Sequence, residues 1–326
     1  MNTALSAWSV RRYGGPDQLV PVTRPLPTPG PGQVLIRIQA SAVTRADGMM
    51  RAGVPRWARP FLGFRRPRKD LIGTCLSGEV IATGPGVSRF AIGDRIFGEA
   101  GLNFGANSSH ICMEETGVLM RAPDGLSPEE AAVMCDGALT SLNFLREVAG
   151  LRAGEKILIL GASGSLGSAA VQLACAMGAE VTGTCSARNT ALVSSLGASR
   201  VIDYTQEDFR RENTRYDVVF DTLGVSSFDQ SKSALTTSGR YVCPVLSLDL
   251  LCAMLRTSLF GTRKARFSAT GMLKPDVLRP MLGDLIDLVA AGTFAPVMDR
   301  TFAHNQLVEA HRYVETGRKT GNVVLV

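Results

Sequence analysis

Aromatic and histidine side chains are scarce in this 326-residue chain: three histidines, two tryptophans and 6% aromatics in all. A net charge of +6 and a pI near 9.1 raise the question of a nucleic-acid partner. The charge is spread, however, and so few aromatics leave bases little to stack on, so no nucleic-acid partner is expected. No window offers 18 uncharged apolar residues, so no transmembrane helix and no membrane partner are expected either. The start, MNTALSAWSVRRYGG, lacks a basic segment followed by an apolar one and does not read as a secretory signal. The seven cysteines, at 75, 112, 135, 175, 185, 243 and 252, are odd in number and form no CxxC pair. They read as free thiols in a reducing cytoplasm. Internal repeats and low-complexity tracts are missing too.

What is present is ordinary globular material, 45% hydrophobic and 20% charged, and the length suggests two domains. The first 120 residues look β-rich. Candidate strands are VLIRIQAS (34–41), SGEVIAT (77–83) and RIFG (95–98), punctuated by PTPGPGQ and GPGVSRFAIGD. The stretch 51–69, RAGVPRWARPFLGFRRPRK, carries seven basic residues and no acid, and reads as a loop. It is either a solvated surface loop or the border of a substrate entrance that steers an acidic substrate.

A different regime opens at APDGLSPEEAA. Ser127 reads as an N-cap, Pro128 as the first helical position and Glu130 as the partner in a capping box. Helices at 128–135 and near 138–148 should follow. Beyond them strands and helices alternate: strand 156–160, helix 165–177, strand 180–185, helix 189–196, strand 200–203, strand 217–224, helix 226–235 and strand 239–246. Apolar strands alternating with helices indicate a parallel sheet covered on both faces. A long helix near 275–291 and a final strand, VVLV, close the chain and point back towards the first domain.

The strongest chemical signal is Gly161-Ala-Ser163-Gly164-Ser165-Leu166-Gly167, between a strand and a helix. Gly161 permits a tight turn, Gly164 lets backbone approach a pyrophosphate, and Gly167 allows close helix–sheet packing. The helix N-terminus then favours phosphate oxygens. An NAD site wants an acid at the end of the second strand for the ribose 2′-hydroxyl. Here Cys185-Ser186-Ala187-Arg188-Asn189 offers none; Ser186 can donate to a phosphate and Arg188 can pair with its dianion. NADPH fits better than NADH, unless Arg188 merely decorates a solvated turn.

These motifs, with CSARN, SLGASRVIDY, ASAVTRADGMMRAG, GTCLSGEVIATGPGVSRFAIGDRIFG and EAHRYVETGRKTGNVV, resemble the medium-chain dehydrogenase/reductase superfamily and, within it, the zinc-independent quinone oxidoreductase branch. The resemblance implies an α/β chain: a GroES-like β-rich catalytic domain (1–122 and 271–326) and a doubly wound Rossmann domain (123–270), with the cofactor in the cleft between them. It assigns Ser163, Gly164, Ser165 and Leu166 to the diphosphate, and Ser186, Arg188 and Tyr204 to the 2′-phosphate, although Tyr204 is equally well a packing residue. Thr140 falls where the nicotinamide approaches; Leu223, Gly224 and Asn322 match later cofactor contacts.

In zinc-dependent relatives Cys, His and Cys or Glu surround a metal. The matching positions here are Thr44, Thr74 and Cys135, and one thiolate does not satisfy zinc's need for three protein ligands. The structural-zinc lobe has no counterpart, and His110, His304 and His311 match no ligand position, so no metal is expected. Thr44 and Asp47 match polar cleft residues, although Asp47 also suits a loop brace. Cys135 and Asp136 fall beside the nicotinamide, where packing for the first and capping for the second are the plainer roles. The implied activity is hydride transfer from NADPH to a quinone, enone or enal. A metal-free carbonyl/alcohol oxidoreductase and a non-catalytic NADPH-binding protein are the rivals. A homodimer joined at an edge strand near 265–270 is expected.

Overall fold

The computed structural model of the chain describes residues 4–326. Its strands, in chain order, are β1 (Ala4–Val10), β2 (Leu19–Pro25), β3 (Gln33–Ala42), β4 (Cys75–Thr83), β5 (Arg95–Glu99), β6 (His110–Glu114) and β7 (Val118–Arg121). There follow β8 (Lys156–Leu160), β9 (Glu180–Cys185), β10 (Arg200–Asp203), β11 (Tyr216–Asp221), β12 (Leu235–Val242) and β13 (Lys264–Arg266), then β14 (Met298–Phe302) and β15 (Asn322–Leu325). The described chain divides into two compact units. Residues 4–136, 271–286 and 298–326 form the first; 137–270 and 287–297 form the second.

The first unit is the GroES-like one. A seven-stranded sheet runs β14-β15-β3-β4-β5-β7, with β6 also paired to β3. Alternating side chains of these strands, among them Val34, Ile36, Leu76, Val80, Ile96 and Leu119, are fully or almost fully buried in one cluster. Such residues each contribute roughly 1.5–3 kcal/mol on burial. The hairpin β1–β2 packs Trp8, Val10 and Leu19 against Leu307 and Val314 of helix Leu307–Glu315 and against Val323 and Leu325 of β15. The C-terminal segment thus returns to this unit, β15 running antiparallel to β3 with Val324 opposite Ala42. Ser127 and Glu130 form the capping box read from the sequence, at the head of helix Pro128–Val133. That helix packs on β3 and β4, which carries the first unit to Asp136 instead of stopping at 122.

The second unit is a parallel sheet in the order β10-β9-β8-β11-β12-β13. This is the doubly wound Rossmann order, and the reversal between β8 and β11 creates the crevice where such sheets take ligands. The segments 156–160, 180–185 and 200–203 are strands as read. Elsewhere the local reading needs correction. β11 stops at Asp221 because that side chain claims the next amides. The expected helix 226–235 shrinks to Phe228–Ser231, capped by Ser227, and a 3-10 turn. β12 comes earlier than expected, and β13 has three residues instead of the six of ARFSAT. Helix Leu248–Leu259 was not foreseen, because leucines on both its faces blur the helical period. The stretch 51–69 is not a plain loop: helix Arg45–Ala52 ends at the left-handed Gly53, and a 3-10 turn and helix Arg59–Leu62 follow. Between 128 and 149 the helix opens twice into wide π turns, at Met134–Ala138 and Phe144–Ala149. Among the described residues no helix is long and apolar enough to cross a membrane.

Candidate functional site

In the second unit the glycine-rich turn follows β8, and helix Ser165–Ala176 begins just after Gly164. The three glycines have different jobs. Gly161 adopts φ +76°, and a Cβ there would meet Leu223 Cδ1 at 2.5 Å. A Cβ on Gly167 would lie 2.1 Å from the Gly161 carbonyl oxygen, so this glycine lets the helix pack tightly on the turn. Gly164 is unlike both: its φ of −79° suits any residue, and a Cβ would find only the Gly161 oxygen, at 3.5 Å. The open ground over Gly164, at the start of a 12-residue helix, is a cradle of the kind a phosphate fills.

Neighbouring side chains brace this turn. Asn189 Nδ2 donates to Ser163 Oγ at 2.9 Å, and Ser141 Oγ donates to the Leu166 carbonyl at 2.8 Å. The second bond ties helix Leu139–Asn143, which carries the half-buried Thr140, to the turn. Ser165 is buried. At the end of β9, Ser186 is half-buried and Arg188 is exposed on the turn Ala187–Asn189, with no acid from 186 to 189. The Tyr204 amide donates to the Cys185 carbonyl at 3.2 Å, which sets this exposed tyrosine beside Ser186. The structure therefore gathers Gly161–Gly167, Ser186, Arg188, Tyr204, Leu223 and Gly224 around the carboxyl ends of β8 to β11. Asn322 is buried at the start of β15, in the first unit.

The sequence reading missed Asp221, the last residue of β11. It is fully buried. Its Oδ1 accepts from the amides of Leu223 (3.2 Å), Gly224 (2.8 Å) and Val225 (3.1 Å), and its Oδ2 from the Ser226 amide (2.7 Å) and the Tyr241 hydroxyl (2.9 Å). Burial, then the Asp221 charge, pushes the Tyr241 phenol far up, so it stays a donor. One carboxylate thus fixes the loop that carries Leu223 and Gly224. The signal was legible: an acid closing an apolar strand just before Thr-Leu-Gly.

In the first unit, Thr44 caps helix Arg45–Ala52. Its Oγ1 accepts from the Asp47 amide at 3.0 Å, while Asp47 Oδ2 accepts from the Thr44 amide and hydroxyl, both at 2.8 Å. Asp47 is buried, with the Gly73 amide also lowering its carboxyl. Burial first, with Asp136 adding repulsion, raises Asp47 to about 7. Glu99, at the end of β5 and also missed in the sequence, is raised to about 7 by burial and then by Asp136 and Asp47. Asp47 and Glu99, each raised to about 7 and each acting on the other's field, are half-protonated near neutral pH. Lys319 shares that field; burial lowers its amine while Asp136 and Asp299 pull the other way, and Nζ donates to the Gly321 carbonyl at 2.7 Å.

Burial, helped by Glu99 and Asp136, holds the thiols of Cys75 and Cys135 far above the ordinary range, so both stay protonated. Cys135→Ser is therefore expected to keep turnover within a few-fold and to cost on the order of 1–2 kcal/mol of stability, because it buries a hydroxyl. Steady-state assays beside urea titrations check this; a loss of several orders in kcat would mark Cys135 as a nucleophile or ligand.

The three positions where relatives hold zinc do not suit the metal. Thr44 is committed to its capping box and Thr74 Oγ1 lies 3.5 Å from Cys75 Sγ, which leaves Cys135 as the one thiol of the three positions. Catalytic zinc takes three protein ligands, its cysteines as thiolates.

Residues 30–141 match the alcohol dehydrogenase GroES-like domain, and residues 196–325 match the zinc-binding dehydrogenase family. A quinone oxidoreductase of Pseudomonas aeruginosa is 30% identical over 96% of this chain and 97% of its own. A 2-methylene-furan-3-one reductase of Solanum lycopersicum is 31% identical over 98% of this chain and 79% of its own. The solved quinone oxidoreductase of Coxiella burnetii superposes with a TM-score of 0.88 at 28% identity, covering 99% of both chains. Fold and relatives together define an oxidoreductase with a GroES-like domain and a Rossmann-type unit for a nicotinamide cofactor. The chain belongs to the medium-chain dehydrogenase/reductase superfamily and is quinone oxidoreductase-like.

Proposed function

We propose that the chain is an NADPH-dependent, zinc-independent reductase of quinones or α,β-unsaturated carbonyls. The observation that carries the cofactor choice is the end of β9, where Ser186 and the exposed Arg188 stand with no acid from 186 to 189. The substrate class draws support from relatives named for quinone and furanone reduction.

In this reading, Gly161, Ser163, Gly164, Ser165, Leu166 and Gly167 form the diphosphate turn. Ser186, Arg188 and Tyr204 take the 2′-phosphate, while Thr140, Leu223, Gly224 and Asn322 complete the cofactor set. When bound, the nicotinamide supplies a hydride. The Thr44 hydroxyl already donates to Asp47, so backbone amides meet the charge that develops on the substrate oxygen. Asp47 and Glu99, both raised to about 7, are the source of the proton that completes reduction. Cys135 packs. The free thiols suit a reducing compartment, and the cytoplasm is the one we propose.

Arg188→Ala tests the reading. It should weaken NADPH about 10- to 100-fold, the loss of a charge-assisted contact worth about 1.5–3 kcal/mol, and leave NADH nearly unchanged. Fluorescence titration with each dinucleotide checks this; equal losses would remove the 2′-phosphate assignment.

The same proposal includes a homodimer. β13 is an edge strand, and beside it helix Leu248–Leu259 exposes Leu248, Leu251, Leu255 and Leu259. A second copy would satisfy the edge and cover the leucines. Light scattering should give twice 34.7 kDa at micromolar concentration; the monomer mass would contradict it.

A further inference from the structure

The basic stretch has a shape that its composition did not show. A groove of about 860 Å³ runs between the hairpin β1–β2 and residues 63–68, wholly within the first unit. Five guanidinium-bearing residues line it: Arg11 beyond β1, Arg24 on β2, and Arg65, Arg66 and Arg68. Its only acid among the described residues is Asp70, which is already spent: it accepts from Ser9 Oγ at 2.8 Å and pairs with Arg24. Arg11, Arg65, Arg66 and Arg68 are exposed, and none of them pairs with an acid among the described residues. Like charges repel one another, and no ion pair among the described residues offsets these four.

The loop that presents these arginines is built, not slack. Gly63 sits at φ +124°, and a Cβ there would strike the Arg66 carbonyl oxygen at 2.0 Å, so only glycine closes the turn. Tyr13 Oη donates to the Gly63 carbonyl at 2.7 Å, Arg59 stacks over the Tyr13 ring at 4.7 Å, and Arg68 donates to the Pro60 carbonyl at 3.2 Å. Guanidinium forks suit the oxygens of phosphate, and several unpaired forks call for more than one negative charge at one spot. The volume is that of a small-molecule site.

We propose that this groove is a second anion site, distinct from the Gly161–Gly167 turn, and that it binds the phosphate or diphosphate end of a small organic phosphate. That end belongs either to a separate effector or to the tail of a substrate.

The test uses the full chain saturated with NADPH, so that the dinucleotide turn is filled. It is titrated with inorganic pyrophosphate by calorimetry at fixed ionic strength. One saturable site per chain is expected, weakened at least tenfold in the double variant Arg65→Ser/Arg66→Ser. The variant should keep the wild-type NADPH affinity and turnover of a small uncharged quinone, so failure here is separable from failure of the proposed activity. Two enones that differ only in a terminal phosphate identify the source. A kcat/KM advantage for the phosphorylated one, lost in the double variant, marks a substrate tail; equal values with pyrophosphate binding intact mark an effector. Unsaturable binding, or equal pyrophosphate affinity in wild type and variant, would overturn the site.

Discussion

Gly164→Val is expected to fold like the wild type and to bind no NADPH. The two halves of that result come from different physics. The backbone at 164 has φ −79° and ψ −178°, which valine adopts freely, and a Cβ there meets no protein atom closer than 3.5 Å. The side chain would instead stand in the open ground at the helix N-terminus, where a diphosphate needs backbone amides at hydrogen-bond distance. Affinity should fall more than 100-fold while the melting temperature moves by no more than about 2 °C. Gly167→Ala provides the opposite control. Its methyl would sit 2.1 Å from the Gly161 oxygen, and overpacking of that kind costs on the order of 1–3 kcal/mol, so it should lower stability. Wild-type NADPH affinity in the valine variant would show that the turn does not hold the diphosphate.

Asp221→Ala should be strongly destabilising in the second unit. It strips the acceptor from four part-buried backbone amides and leaves the Tyr241 hydroxyl only the Ser226 carbonyl at 3.0 Å. Leaving buried donors unpaired costs about 1–3 kcal/mol each when none can relax, and losing one partner of a buried charged network costs about 3–5 kcal/mol. Since residues 222–226 can turn part of the way to water, the lower figure of about 3 kcal/mol is expected. Urea unfolding reads it directly, and NADPH affinity should fall as well because Leu223 and Gly224 lose their fixed place. Asp221→Asn, which keeps the shape and one acceptor, should recover part of both. Near wild-type stability in the alanine variant would mean the loop is held by something else.

The architecture was legible wherever one strong local rule governed a segment. The apolar strands at 156–160 and 180–185, the Ser127 capping box and the strand–turn–helix around Gly161 each follow from composition and spacing within a few residues. Asp221 escaped because its role depends on four amides that follow it and on Tyr241, 20 positions away. Glu99 escaped for the same reason, and with it the coupling to Asp47, which the sequence had offered only as a cleft residue or loop brace. Nothing near either residue in sequence shows that β5 and the helix after Thr44 bring them into one buried field with Asp136. The groove of arginines was visible as charge but not as shape, since Arg11 and Arg24 come from the hairpin and not from the basic stretch. Helix Leu248–Leu259 was hidden by its own exposed leucines.

Zinc-independent reduction by NADPH is tested by following dinucleotide oxidation with a panel of quinones and enones, in the presence of excess chelator, with products identified by mass spectrometry. Turnover with NADPH that chelation does not diminish is expected, with much poorer turnover with NADH and products reduced at the quinone or at the conjugated double bond. Turnover that requires stoichiometric zinc and stops on chelation, or that yields only alcohols from simple carbonyls, would contradict it.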